Sequence, residues 1–334
     1  MTEAPPAGRV LTVTPNPALD ETYTVAGLVP GATHRVGTPF VRAGGKGLNV
    51  ARVLHQQDVP VLALAPVGGP AGGQYRTDLA ASGIPAALVP IAAPTRRSLA
   101  FHDSAAGDTT LFNETGPPLD GAEWAALQAQ IDAAVPGAGC VVGSGSLPLG
   151  APDEFYAGLV RRAGRTGIPA IIDASGPALL RAAEAGADAL KPNAAELSEA
   201  TGTRDPVEGA RLLIGLGARR VFVSCGEDGM LAVTAEDPDG HLHAALPRPL
   251  RGNATGAGDA AVAALAALLV SGHRDTEELL RTATAWSAAA VLMPAAGEIH
   301  EDHRRLAETL VVTRRTGGVG TPGTPAGRKD TPWD

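Results

Sequence analysis

The strongest constraint on this chain is the alternation of short β-rich runs with helical patterns over most of its length. RVLTVT, VLALAPV, CVVGSG, PAIIDA, DALKPN and RRVFVSC read as strands. Segments 48–57, 122–134, 152–165, 178–185 and 194–201 read as helices, most of them ended by glycine or proline. A strand that returns parallel to its predecessor needs a crossover of helix length, so the pattern predicts an α/β fold with a mostly parallel sheet covered by helices. With 334 residues, one large domain or two modest ones can bury a core without disulfide staples.

Two regions break the alternation. Residues 21–45 read as short strands with turns, and RRSLAFHDSAAGDTTLFNE (96–114) reads as a hairpin. Neither has a helix of its own to bury a face, so together they are expected to form a small β-lid over one end of the main sheet. The Gly, Pro and Thr content from residue 313 onward predicts a disordered tail over 313–334. Gly318, Gly320 and Gly323 in that tail match G-x-G-x-x-G, but no helix follows to aim its N-terminus at a pyrophosphate.

A net charge of −8 argues against nucleic acid or an anionic membrane as partner, because both need a basic face. Any phosphate must then be held by a few local cations and amides. Cys140 and Cys225 lie in apolar strand-like runs with neither metal-site nor disulfide spacing, which fits a reducing cytoplasm. The opening MTEAPPAGRVLTVTP lacks the basic and apolar segments of a signal peptide. The longest apolar run, Ala260 to Val270, is far shorter than the roughly 20 residues that span a bilayer.

Two glycine loops carry the chemistry. In AGGKGLNVARVL, Gly44, Gly45 and Gly47 allow close backbone approach to a ligand, Lys46 adds a mobile charge, and Asn49 can donate to and accept from a hydroxyl. A tight strand-to-helix turn is the alternative reading of that loop. In NATGAGDAA, the successive amides of Gly256, Ala257 and Gly258 can form a concavity for developing negative charge, with Asp259 in reach of a hydroxyl pointing into it. These are the parts phosphoryl transfer requires: donors for the transferring group, a base, and a metal ion brought by the nucleotide. Asp259 could instead cap the apolar helix that follows.

Weaker signals surround these loops. In LKPNAAEL, Lys191 and Asn193 could face nucleotide phosphates while Glu196 orders water around Mg2+; a capping box between Asn193 and Glu196 explains the pair equally well. Ser224, Gly226 and Gly229 form a strand-turn-strand connection, read as a hairpin around Glu227 and Asp228, across which a nucleotide could lie. Asp20 closes a turn after the first strand, Arg35, Arg96 and Arg97 fall in the lid segments, and Ser144 and Ser146 follow CVVGSG. An aspartate can bind sugar hydroxyls and an arginine can clamp a phosphate.

With these segments in order, residues 8 to 312 resemble the ribokinase-like (PfkB) carbohydrate kinases. LTVTPNPALDETY, RAGGKGLNVARVL, TRRSLAF, SGSLP, LKPNAAEL and NATGAGDAA are similar to the branch that contains 1-phosphofructokinase and tagatose-6-phosphate kinase. The resemblance implies a three-layer α/β/α sandwich with a β-lid, dimeric through the lids, that uses ATP and Mg2+ to phosphorylate a sugar hydroxyl. It implies Asp259 as catalytic base and Gly256, Ala257 and Gly258 as anion hole. Asp20, Gly45, Lys46 and Asn49 would contact the sugar, and Arg97 and Ser146 the phosphate already on it. Arg35 would reach that phosphate across a dimer. Lys191, Asn193, Glu196, Ser224, Gly226 and Gly229 fall on the nucleotide and metal side. Ala254 departs from the branch, which commonly carries proline or another residue there, and Arg96 beside Arg97 leaves open which one faces the ligand. The implied activity is phosphorylation of a phosphorylated ketohexose, fructose 1-phosphate first. Tagatose 6-phosphate or fructose 6-phosphate follows, then an unphosphorylated sugar or nucleoside, with a non-catalytic sensor as the alternative of another class.

Overall fold

The first strand, β1 (Arg9–Val13), sends Val10 into one hydrophobic cluster and Leu11 and Val13 into another. That split, repeated along neighbouring strands, makes three layers. The computed structural model describes residues 8–315. After β1 come β2 (Ala18–Val25), β3 (Phe40–Gly44), α1 (Lys46–Gln56), β4 (Val61–Gly68), α2 (Gly69–Ser82) and β5 (Ala86–Ile91). A hairpin of β6 (Arg96–Asp103) and β7 (Asp108–Asn113) precedes α3 (Gly121–Ala134), β8 (Ala138–Ser144), α4 (Phe155–Thr166), β9 (Ala170–Asp173) and α5 (Gly176–Glu184). Then follow β10 (Ala189–Leu190), α6 (Ala194–Thr201), α7 (Pro206–Leu216), β11 (Arg220–Ser224), β12 (Met230–Thr234) and β13 (Asp237–Ala245). The last elements are α8 (Ala257–Val270), α9 (Thr276–Val291), α10 (His303–Thr309) and β14 (Val311–Arg315).

The large sheet runs β14-β13-β12-β11-β10-β9-β8-β1-β4-β5. From β11 to β5 every pairing is parallel, and β12, β13 and β14 add an antiparallel edge. Cys140 and Val142 of β8 face the cluster built on α1, α8 and α9, whereas Val141 faces the cluster built on α3, α4, α5 and α7. The expected α/β sandwich is therefore present, with helices on both faces.

A second, smaller sheet, β3-β2-β6-β7, forms from the segments expected to build a lid. It begins at Ala18, before residue 21, and 26–39 between its first two strands is irregular. At the other end, β14 includes Thr313, Arg314 and Arg315, three residues that composition assigned to the tail. Their backbones pair with His243, Leu242 and His241 of β13, a tertiary opportunity that local composition does not report. The rest of that tail, with its glycine triplet, lies outside the described residues.

Chain order decides where a ligand can sit. From β1 the chain moves through α1 to β4 and β5, then returns to place β8 on the other side of β1. Connections therefore leave β1 and β8 in opposite directions, and a crevice opens outside their carboxyl ends. The lid springs from the same end, directly after β1.

Candidate active site

Five parallel strands deliver side chains to this crevice from their carboxyl ends or the residues just beyond: Asn16 after β1, Ser144 and Ser146 at β8, Asp173 at β9, Lys191 after β10 and Ser224 at β11; Asp20, expected in a turn, instead lies within β2 of the small sheet, where it is paired with Arg42 and Ser98. Opposite them stand the amino ends of α1 and α8. Each contributes a glycine loop, as the sequence predicted.

Gly256 is the N-cap of α8 with φ 86°, a left-handed conformation in which an L side chain is strained, and Ala296 packs where its Cβ would be. Asp259 is therefore the third residue of the helix, not its cap, and its side chain makes no capping bond. Instead Asp259 Oδ2 accepts a hydrogen bond from Asn49 Nδ2 at 2.8 Å. Among the described residues the amides of Gly256 and Gly258 have no acceptor, whereas that of Ala257 turns back to Ala254 O at 3.2 Å. Two of the three expected donors are thus free.

Asp259 is 6% exposed. Burial, followed by the charge of Asp173, pushes its carboxyl up to about 7 against the opposing pull of Lys46, Asn49 and Lys191. Asp173 was missed by sequence reasoning. It ends β9, accepts from Ser144 Oγ at 3.0 Å, and lies 3.5 Å from Lys46 Nζ and 3.8 Å from Lys191 Nζ. Burial pushes it up as well, but the two ammonium groups and the serine hydroxyl prevail and hold it below the ordinary carboxylate value. The signal that could have found it is its place at the carboxyl end of a predicted parallel strand.

Lys46 bridges the two halves of the crevice. Its ammonium pairs with Asp173 and, at 3.2 Å, with Glu196 Oε1; the Asp173 charge is the main cause that keeps its proton tightly bound. Lys191 is 3% exposed, lies against Gly258 and reaches Ser224 Oγ at 3.5 Å. Both readings of Asn193 and Glu196 are realised in part. The capping box is present, with Glu196 N donating to Asn193 Oδ1 at 2.8 Å and Asn193 N to Glu196 Oε2 at 3.0 Å, yet Glu196 Oε1 still faces Lys46. Gly226 begins a short turn between β11 and β12, giving the expected hairpin, and Gly229 closes it.

On the lid side, the Asp20 carboxyl lies where a Cβ at Gly44 would stand, so a side chain at that position would displace it. Burial pushes the Asp20 carboxyl up to about 6, against the opposing charges of Arg96, Arg42 and Arg52. Strand register resolves the two arginines. Asp20 is opposite Ser98, so Arg96 and Asp20 share one face of the lid while Arg97 is opposite Leu19 on the other. Arg97 pairs there with Glu21, which also accepts from the Tyr23 hydroxyl. Arg96 donates to Asn16 O at 3.1 Å, and Asn16 Nδ2 donates to Ser146 Oγ at 3.1 Å. Asn16 thus joins Arg96 to Ser146, and Asp20 lies on the same face as Arg96 within reach of its charge; the expected Arg97 does not belong to this group, because side chains alternate along a strand. Arg35 is exposed between β2 and β3 and makes no hydrogen bond or ion pair among the described residues.

Comparison with known proteins fits this geometry. Residues 13–302 match the family described as pfkB family carbohydrate kinase. The chain is 36% identical over 293 residues to a 1-phosphofructokinase of Xanthomonas campestris pv. campestris, covering 84% of this chain and 90% of that one. It is 34% identical over 300 residues to the ATP-dependent 6-phosphofructokinase isozyme 2 of Mycobacterium tuberculosis, covering 88% and 87%. It superposes with a TM-score of 0.81 and 31% identity on phosphofructokinase-2 from Escherichia coli in complex with fructose-6-phosphate, over 90% of this chain and 98% of that one.

Proposed function

The chain belongs to the pfkB family of carbohydrate kinases, and from that premise we propose that it transfers the γ-phosphate of ATP to a hydroxyl of fructose 1-phosphate, yielding fructose 1,6-bisphosphate. The observation that carries the reading is the buried Asp259 carboxylate beside the unpaired Gly256 and Gly258 amides. A base with a proton affinity near neutrality can accept the hydroxyl proton as the oxygen attacks phosphorus. The two amides, Lys46 and Lys191 meet the charge that develops on the transferring group.

Asp20 and Asn49 are the proposed hydroxyl contacts, with Gly45 and Lys46 lining the sugar side. Arg96, in place of Arg97, and Ser146 are the proposed contacts to the phosphate the sugar already carries. Asn193, Ser224, Gly226 and Gly229 remain assigned to the nucleotide. Magnesium fits the residues present: the buried Asp173 Oδ1 lacks a hydrogen-bond donor and Glu196 Oε1 shares the Lys46 ammonium with that residue. Hydrated Mg2+ held near these carboxylates would neutralise nucleotide phosphates. Lid closure over the acceptor would exclude water from the transfer.

Fructose 6-phosphate is the second reading, favoured by the 34% identity to a 6-phosphofructokinase over 88% of the chain. A sensor that binds without turnover would have no use for a base. The lid exposes Val29, Val36, Phe40, Val41, Leu111 and Phe112, and a second copy covering them would form a homodimer. No helix among the described residues is long and apolar enough to cross a membrane, and the proposed setting is the cytoplasm. ADP release measured with fructose 1-phosphate, fructose 6-phosphate, tagatose 6-phosphate, fructose, ribose and adenosine tests the assignment. Highest kcat/KM with fructose 1-phosphate supports it; preference for an unphosphorylated acceptor removes the roles given to Arg96 and Ser146.

A further inference from the structure

Arg52 is a charged residue on the buried side of α1, 7% exposed, three positions beyond Asn49. Its guanidinium makes contacts in three directions. One Nη2 contact goes to the carbonyl of Ala43 at 3.1 Å and another to the carboxylate of Asp78 on α2, while Nη1 reaches Ser82 Oγ at 3.0 Å. Asp78 Oδ2 accepts in turn from the amide of Ala43 at 3.1 Å. Both backbone polar groups of a single lid residue are therefore held by one ion pair lying outside the lid.

Ala43 occupies a mechanical position. It is the last residue of β3 before the Gly44-Gly45 pair through which the lid joins α1, and its strand partner is Leu19, next to Asp20. The aliphatic part of Arg52 also packs against Gly297, and the segment around that glycine touches Gly256 through Ala296. Arg42, the neighbour of Ala43, pairs with Glu298 of the same segment at 2.9 Å. Gln56, one turn beyond Arg52, exchanges two hydrogen bonds of 2.9 Å with the backbone of Ile299. The lid root, the glycine loop before α1 and the backing of the α8 loop thus meet on one side chain.

We propose that Arg52 and Asp78 are positioning residues that fix the root of the lid, so that Asp20 and Arg96 swing about a pivot at Ala43 and return in register with the phosphoryl-transfer loop. An ammonium gathers its three donors on one atom, whereas the planar guanidinium sends Nη2 to Ala43 O and Asp78 and Nη1 to Ser82 from two separate atoms, so lysine does not reproduce this geometry. The kinetic consequences rest on the sugar kinase reading, whereas the structural consequence does not.

The test uses the full chain carrying Arg52→Lys, Asp78→Ala or Asp78→Asn. Hydrogen exchange is followed at the amides of 40–45 and, as reference, at those of β8 and β11. Arg52→Lys and Asp78→Ala are expected to speed exchange at 40–45 by about tenfold or more with little change in the reference strands. Asp78→Asn, which keeps an acceptor for Ala43, should fall between these and the parent. In steady-state assays the first two should raise KM for the sugar phosphate about tenfold, leave KM for ATP within about twofold, and increase ATP hydrolysis without acceptor. Unchanged exchange at 40–45, or acceleration spread evenly over the central sheet, overturns the proposal. Local loosening at 40–45 in a protein that phosphorylates no sugar upholds the clamp and removes the kinase assignment instead.

Discussion

Asn49 donates to Asp259 across 2.8 Å, so the first turn of α1 directly holds a carboxylate in the first turn of α8. Asp259 Oδ2 is used in that bond, and Oδ1 makes no hydrogen bond among the described residues, so it is the oxygen proposed to accept the hydroxyl proton. Asp259→Asn keeps the shape and can still meet Asn49 through its amide oxygen. It should lower kcat by about 10²–10⁴-fold while KM for either substrate changes only a few-fold. A loss confined to KM would remove Asp259 from the chemical step.

As the proposed base, the same carboxyl is expected to set the pH dependence. Burial and the charge of Asp173 push it up to about 7, so kcat/KM should climb as pH rises through that value and the base ionises. Asp173→Asn removes a like charge and should move this limb to lower pH. Asn49→Ala removes a hydrogen bond to the ionised form and should move it to higher pH. Stability should respond with the opposite sense to activity. Because the folded value lies above the unfolded value near 3.8, ionisation opposes folding, with no penalty well below that pH and the full penalty above about 7. Asp259→Asn should then be more stable than the parent at pH 8, by on the order of 4 kcal/mol, with the difference disappearing below about pH 3. Denaturant midpoints at both pH values check the sign.

Arg96 and Arg97 are adjacent in sequence and face opposite sides of the lid. Arg96→Ala should raise KM for a phosphorylated acceptor by about tenfold or more, since it removes a cation beside Ser146 and Asp20. Arg97→Ala breaks the pair with Glu21 on the other face and should leave that KM within about threefold. The reverse ranking would mean that the lid presents its other face to substrate.

These contrasts mark what the sequence could reveal. Alternating strands and helices predicted the sandwich because crossover length and twist leave few other arrangements. Both glycine loops were legible because phosphate chemistry needs amides where only small residues fit, and Asp259 was legible beside them. Asp173 was not, since PAIIDA looks like any buried parallel strand until the fold turns its last residue toward two lysines. The face of Arg96 was hidden for a related reason: alternation says that it differs from Arg97, and only pairing with β2 says which of them joins Asp20. Arg52 within NVARVL carries no local sign that it clamps Ala43, because that contact depends on α2 packing beside α1.

Glu196 performs two tasks with two oxygens, and a single substitution separates them. Oε2 accepts from Asn193 N at 3.0 Å in the capping box, and Oε1 lies 3.2 Å from Lys46 Nζ at the proposed magnesium side. Glutamine also completes a capping box, so Glu196→Gln should preserve the start of α6 and change stability by less than about 1 kcal/mol. It removes the negative charge from the cleft, however, and a hydrated divalent cation depends on that charge more than on the remaining carbonyl oxygen. The Mg2+ concentration giving half-maximal rate at fixed ATP should therefore rise by about tenfold, with saturating Mg2+ restoring much of kcat. Glu196→Ala loses both oxygens and should show the same magnesium effect together with a lower Tm. An unaltered magnesium dependence in Glu196→Gln would reduce Glu196 to the helix cap that its spacing from Asn193 already suggests.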